Sequence, residues 1–147
     1  MNRILLSFLV LFAVACQTDK FSKETKQLQH YFSANFTDIV LTRETGLKVL
    51  LIPSIGCSPC IKKGWDFYHE NKVTDIIFIT NDQYPKDEKR EGLYFEKEDA
   101  QLKMNDLFFL DIYPLLIRLD EAGRIESLFH LSPGEEDVFQ HELQSGI

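Results

Sequence analysis

The order of apolar segments between residues 47 and 80 constrains the fold more than any other feature of this chain. "LKVLLI" at 47 to 52 reads as a continuous apolar run of the length of a strand buried on both faces, which is the habit of strands inside parallel or mixed sheets. From Pro59 to about Lys72 the apolar residues Ile61, Trp65 and Tyr68 fall at i, i+4 and i+7, the stripe of an amphipathic helix. "IIFIT" at 76 to 80 is a second buried strand. Strand, helix and strand at these lengths make a βαβ unit, so the two strands are expected to lie parallel, joined by a right-handed crossover.

The flanking sequence extends this unit into one domain. Ser22 to Phe36 places Leu28, Tyr31, Phe32 and Phe36 on one helical face, and Ile39 to Leu41 is a short β-type run. Residues 81 to 103 are densely charged with mixed signs, which predicts a solvated loop plus an exposed helix and no binding chemistry. Pro114 opens the run "PLLIRL", "DEAG" supplies a turn, and Arg124 to Leu131 is again β-type, together a hairpin. Ser132, Pro133 and Glu135 have the form of a capping box with proline at the first helical position, ahead of a last helix bearing Val138, Phe139 and Leu143. No internal repeat, low-complexity tract or boundary divides residues 37 to 147.

The first residues read as an export signal. Arg3 is followed by an apolar run from Ile4 to Val14, too short to span a bilayer, which takes roughly 20 residues. Ala13-Val14-Ala15-Cys16 resembles the end of a bacterial lipoprotein signal, departing from it where Ala13 replaces the commoner leucine. The resemblance implies cleavage of residues 1–15, lipidation of Cys16, and a tether and helix over 16–36 that attach the domain to a membrane. An ordinary signal cut nearby would leave Cys16 a free thiol. The chain carries a net charge of −7, and loss of Arg3 takes it to −8, so no basic face is expected for nucleic acid or anionic headgroups.

With Cys16 set aside, two of the three cysteines remain, Cys57 and Cys60 in "GCSPC", and in an oxidising compartment they can pair with each other. At the start of a helix, residues i and i+3 share a face, so the two sulfurs can bond without unwinding the turn. Cys57 lies beside unpaired backbone N–H groups and the positive end of the helix dipole, which stabilise a thiolate, so it is the expected attacking sulfur. Cys60, one turn further in, is placed to resolve a mixed disulfide. Pro59 fixes φ and suits a first helical turn.

Strand, CxxC, helix, strand, proline-led hairpin and helix, in that order, resemble the thioredoxin fold, with the exported start pointing to the TlpA-like thiol:disulfide oxidoreductases of bacterial envelopes. The resemblance implies an α/β domain over 37–147 with a central mixed sheet flanked by helices. It makes Cys57 the nucleophile and Cys60 the resolving thiol, with Ser58 and Pro59 completing the motif. It places Gly56, Tyr113 and Pro114 toward the substrate, Pro114 after a cis Tyr113–Pro114 bond that would set the Tyr113 backbone beside Cys57. It implies a monomer without cofactor, exchanging with protein thiols or disulfides at the periplasmic or outer side of a membrane. Two positions depart from the pattern: Gly56 stands where a large residue is usual, and Leu51 where many members carry an acid.

Two other readings stay open. A three-residue disulfide loop constrains the unfolded chain little, so a purely structural staple is disfavoured without being eliminated. Zinc asks for four nitrogen or sulfur ligands, and His30, His69, His130 and His141 lie singly without ligand spacing, so no metal ligand is assigned among them. Copper(I), content with two thiolates, is the remaining metal candidate, in a non-catalytic binding module. The aromatic residues follow strand and helix periods and are expected in the core, with Trp65 close enough to Cys60 to border the site.

Overall fold

The computed structural model describes residues 20–42, 46–70, 76–82 and 92–145. Its elements are α1 (Ser22–Asn35), β1 (Leu47–Ile52), α2 (Ser58–Glu70), β2 (Ile76–Thr80), β3 (Leu93–Phe95), a 3₁₀ turn at Met104–Asp106, β4 (Leu115–Leu119), β5 (Ile125–His130) and α3 (Glu136–Gln144). The strands form one sheet in the order β3-β2-β1-β4-β5. As the βαβ reading predicts, β1 and β2 are parallel, with Leu50 opposite Phe78. β4 and β5 form the expected antiparallel hairpin, and β4 also runs antiparallel to β1. The result is an α/β domain with a five-stranded mixed sheet between helices.

Side-chain alternation along the strands divides the core into two layers. Leu47, Val49 and Leu51 of β1, Ile77 and Ile79 of β2, and Leu115, Ile117 and Leu119 of β4 meet Leu28, Tyr31 and Phe32 of α1 on one face. Leu50, Ile52, Ile76, Phe78 and Leu116 face the other way, onto Phe67 and Tyr68 of α2 and Phe139 and Leu143 of α3. Burying both faces is why β1 and β2 read as runs that are apolar at all but one position each. Leu51 is fully buried in the α1 layer.

One charged residue sits inside that pattern. Lys48 is buried on the α2–α3 face, and its ammonium donates to the carbonyls of Glu142 (2.9 Å), Leu143 (3.0 Å) and Ser145. These are carbonyls at the C-terminal end of α3, where a helix leaves acceptors unsatisfied and its dipole favours a cation. Arg118, directly opposite Lys48 on β4, pairs with Glu142 at 3.2 Å. The two cations of one cross-strand pair are thus both drawn to the end of α3.

Four local expectations are corrected. Ile39 to Leu41 forms no strand, and its Ile39 and Leu41 side chains pack against the α1 layer instead. The charged tract contains β3, pairing Leu93, Tyr94 and Phe95 in parallel with Phe78, Ile79 and Thr80; residues 83–91 lie outside the described residues. α3 begins at Glu136 rather than within the Ser132 to Glu135 box, where the Ser132 hydroxyl bonds the Glu135 carboxylate and the Gly134 N–H reaches Glu136. No peptide bond among the described residues is cis, so Tyr113–Pro114 is trans. The turn joining β4 to β5 does follow its sequence: the Asp120 carboxylate accepts N–H bonds from Ala122 and Arg124, both 2.9 Å, and pairs with the Arg124 guanidinium. Partial burial works against that charge, but the hydrogen bonds win and hold its pKa below the ordinary value.

Candidate functional site

β1 ends at Ile52, and Pro53 to Gly56 carry the chain over the sheet edge to the first turn of α2. Ser54 N–H donates to the Asn81 side chain at 2.7 Å, tying this crossing to the end of β2. The crevice beyond the carboxyl ends of parallel strands is the usual site position in open α/β sheets, and the cysteines occupy it here. Cys57 and Cys60 are joined as a disulfide with their Cα atoms 5.2 Å apart, within the ordinary range. The pair is asymmetric: Cys57 is half-exposed, while Cys60 is 7% exposed. Ile61 N–H closes the first helical bond to the Cys57 carbonyl at 2.9 Å, so the motif is continuous with the helix.

β4 starts beside the end of β1, with Leu115 opposite Leu51, and that register brings the preceding loop to the cysteines. The contact differs from the one expected. Ile112, not Tyr113, meets Cys57: the Cys57 N–H donates to the Ile112 carbonyl at 2.9 Å. Pro114 is buried with its ring against α2, where a side-chain carbon on Gly64 would come within 3.2 Å of it. Its carbonyl accepts Leu131 N–H at 2.8 Å. With the Ile112 carbonyl, the proline ring and the proline carbonyl all seated, the extended trans bond, intrinsically favoured by about 0.5–1 kcal/mol, meets every constraint. Tyr113 is half-buried between these anchors.

Two glycines make this docking possible. A Cβ on Gly56 would lie 2.1 Å from the Ile112 carbonyl oxygen, and Gly56 has φ +149°, a conformation side chains rarely adopt. Gly64 gives Pro114 its place one helix turn beyond Cys60. No side chain could stand at Gly56 with the loop where it is.

Two clefts flank the pair. One, of about 250 Å³, is lined by Ile55, Asn105, Leu110, Asp111 and Ile112. Of these, Ile55 and Ile112 are 75% and 51% exposed, an apolar collar beside Cys57. The other, of about 380 Å³, runs along α2 past Ser58, Ile61, Lys62, Trp65, Asp66 and His69 to Ser54 and Asp82. Trp65 therefore borders the motif, as its spacing suggested, while also packing edge-on against Tyr68.

The histidines stay apart from the cysteines' chemistry. His30 and His141 are exposed, His69 lies over Trp65, and His130 has a ring nitrogen 3.2 Å from the Phe109 carbonyl. Among the described residues no group of three or more His, Cys, Asp or Glu side chains is placed to hold a metal ion. Cys16 lies outside the described residues.

Sequence reasoning missed Ile112, Asp111, Ile55 and Gly64. An isolated glycine inside a helical stripe is a signal for close packing, and Gly64 was legible on that ground. The other three act through a contact between segments more than fifty residues apart, which no local pattern announces. Comparison with protein-family models, curated proteins and solved structures finds no match to this chain.

Proposed function

We propose that this chain is an exported, lipid-anchored thioredoxin-like protein that exchanges disulfides with other proteins of a bacterial cell envelope. The observation that carries the reading is the asymmetric pair, a half-exposed Cys57 at the start of α2 backed by a buried Cys60. In the dithiol form the Cys57 thiolate attacks one sulfur of a substrate disulfide. A Cys57–substrate bond forms as the substrate bond breaks, and its electron pair leaves on the second substrate sulfur, which takes up a proton. The Cys60 thiolate then attacks Cys57, releasing the first substrate thiolate and leaving the Cys57–Cys60 disulfide. Run backwards, the same steps oxidise a dithiol.

The collar of Ile55 and Ile112 supports a polypeptide as the partner, since exposed apolar side chains grouped beside a reactive centre suit a protein contact. Ile55→Ser and Ile112→Ser are expected to lower exchange with a protein disulfide at least fivefold more than exchange with oxidised glutathione. Equal losses on both substrates would remove the collar from substrate binding.

The membrane part of the reading rests on residues 1–19, outside the described residues. No helix among the described residues is long and apolar enough to cross a membrane. Mass spectrometry of the mature N-terminus is expected to show a lipid-modified Cys16, and Cys16→Ser to release the protein from membranes. An unmodified N-terminus elsewhere would end the anchoring proposal. For exchange itself, the test is turnover of a disulfide-bonded protein with dithiothreitol as electron source, expected from the native chain and lost in Cys57→Ser.

A further inference from the structure

The two clefts that flank the cysteines differ in charge. The larger, along α2, holds Lys62 and Asp66 as an ion pair at 3.5 Å together with His69 and Asp82, so it presents both signs. The smaller, of about 250 Å³, has Asp111 as its one charged group among Ile55, Asn105, Leu110 and Ile112. One oxygen of the Asp111 carboxylate accepts the Ile112 N–H at 2.7 Å. No lysine or arginine among the described residues pairs with that carboxylate.

Hydrogen bonds fix the walls of the smaller cleft. The Asn81 side chain accepts the Ser54 N–H at 2.7 Å, one residue before Ile55, and its amide nitrogen donates to the Asn105 side chain at 3.3 Å. One amide thus ties the crossing that follows β1 to the 3₁₀ turn. On the remaining side Ile112 is held by the bond from the Cys57 N–H to its carbonyl, at 2.9 Å. Small-molecule sites run to about 300–1,000 Å³, so a cleft of this volume suits a single side chain better than a whole ligand. Its place beside Cys57 makes that side chain a neighbour of the group that reacts there.

We propose that this cleft takes a lysine or arginine side chain lying beside the reacting cysteine, so that the substrates are protein disulfides flanked by basic residues. The proposal rests on the exchange reading and adds the substrate class. Ile55 and Ile112, exposed at the rim, offer apolar walls to the methylene stem, and Asp111 offers its carboxylate to the cationic head. Long basic side chains favour that division between stem and head. An acidic side chain would meet Asp111 as a like charge, and an apolar one would cover the carboxylate without pairing it. The net charge of −7 draws basic partners from further away, but every surface carboxylate shares in that effect, whereas Asp111 acts on the one side chain beside the sulfur.

The test is reduction, by the native dithiol, of three peptide disulfides, each a linked homodimer whose cysteine is flanked on both sides by lysine, glutamine or glutamate. Each turnover yields two peptide thiols and the Cys57–Cys60 disulfide. Dividing each rate by that of the same peptide with dithiothreitol removes the peptide's intrinsic reactivity. At low salt the lysine peptide is expected to react about threefold faster than the glutamine peptide and about tenfold faster than the glutamate peptide. Asp111→Asn keeps an oxygen for the Ile112 N–H and is expected to abolish the preference for lysine over glutamine. Glu121→Gln removes the same charge from the exposed turn after β4, at the end of that strand away from the cysteines, and is expected to leave the preference in place. Asn105→Asp keeps the oxygen that accepts the Asn81 amide and adds a second carboxylate to the cleft, so it is expected to raise the preference. A native chain without the lysine preference overturns the proposal. So does an Asp111→Asn that keeps the preference or a Glu121→Gln that loses as much, since either assigns it to the charge of the whole chain. Should Asp111→Asn fail to fold, an Asn105→Asp without the expected rise overturns the proposal instead. In each of these cases the peptides are still reduced and the exchange reading stands; reduction of none of the three removes that reading and this inference with it.

Discussion

Replacing Cys60 with serine is expected to trap substrates on Cys57 and to slow steady-state exchange by on the order of 100-fold or more. Cys60 is held one helical turn from Cys57, on the same face and already at bonding distance, so its attack on a mixed disulfide would be intramolecular. Intramolecular groups in good geometry act at effective concentrations far above any thiol in solution, which is what the serine variant loses. Cys57→Ser should behave differently, trapping nothing, because Cys60 is 7% exposed and cannot be reached by a folded partner. Purification under denaturing, thiol-blocking conditions, with and without reductant, reads both outcomes. Trapping by both single variants would show two equivalent thiols, and trapping by neither would favour a structural staple or a soft-metal clasp.

This asymmetry was legible from the spacing of the cysteines and their place before an apolar helical stripe, because it follows from helix geometry alone. The βαβ unit was legible for a related reason: β1 and β2 are buried on both faces, and such strands cannot be written with polar alternation. β3 was hidden by length and setting. It has three half-buried residues at a sheet edge, set in a charged tract that protects such an edge from other chains, so it carries almost no apolar signal of its own. The Cys57 to Ile112 contact was hidden because it joins backbone to backbone across the fold, and its sequence trace is the absence of a side chain at Gly56. The proline was found in the right place, opening β4 beside the motif, yet its ring turns to Gly64 and leaves the approach to Cys57 to the residue two before it. Lys48 was passed over because a single lysine in an otherwise apolar strand looks like noise until the end of α3 is set against it.

That lysine supports the prediction with the largest expected effect on stability. Lys48→Ala should cost about 2–4 kcal/mol, a large share of the 5–15 kcal/mol by which a domain of this kind is held folded. Three acceptors at the end of α3, the carbonyls of Glu142, Leu143 and Ser145, lose a charged donor; Glu142 keeps the Ser145 hydroxyl at 2.9 Å, whereas a buried acceptor such as Leu143 left without a donor retains its full desolvation cost. The alanine also opens space in a layer otherwise filled by Leu50, Ile52, Phe139 and Leu143. Lys48→Met separates the two contributions, since it keeps most of the buried stem and lacks the ammonium, so its loss should be smaller than that of alanine by the packing share. Thermal and denaturant unfolding of both variants measure this. Lys48 stands at the start of β1 and Cys57 beyond its end, so below the unfolding transition the exchange rate of each variant should match that of the native chain. If Lys48→Ala instead unfolds at the native temperature, the ammonium and its three carbonyls hold α3 no better than water would, and the anchoring of α3 must lie in Phe139, Leu143 and the Arg118–Glu142 pair.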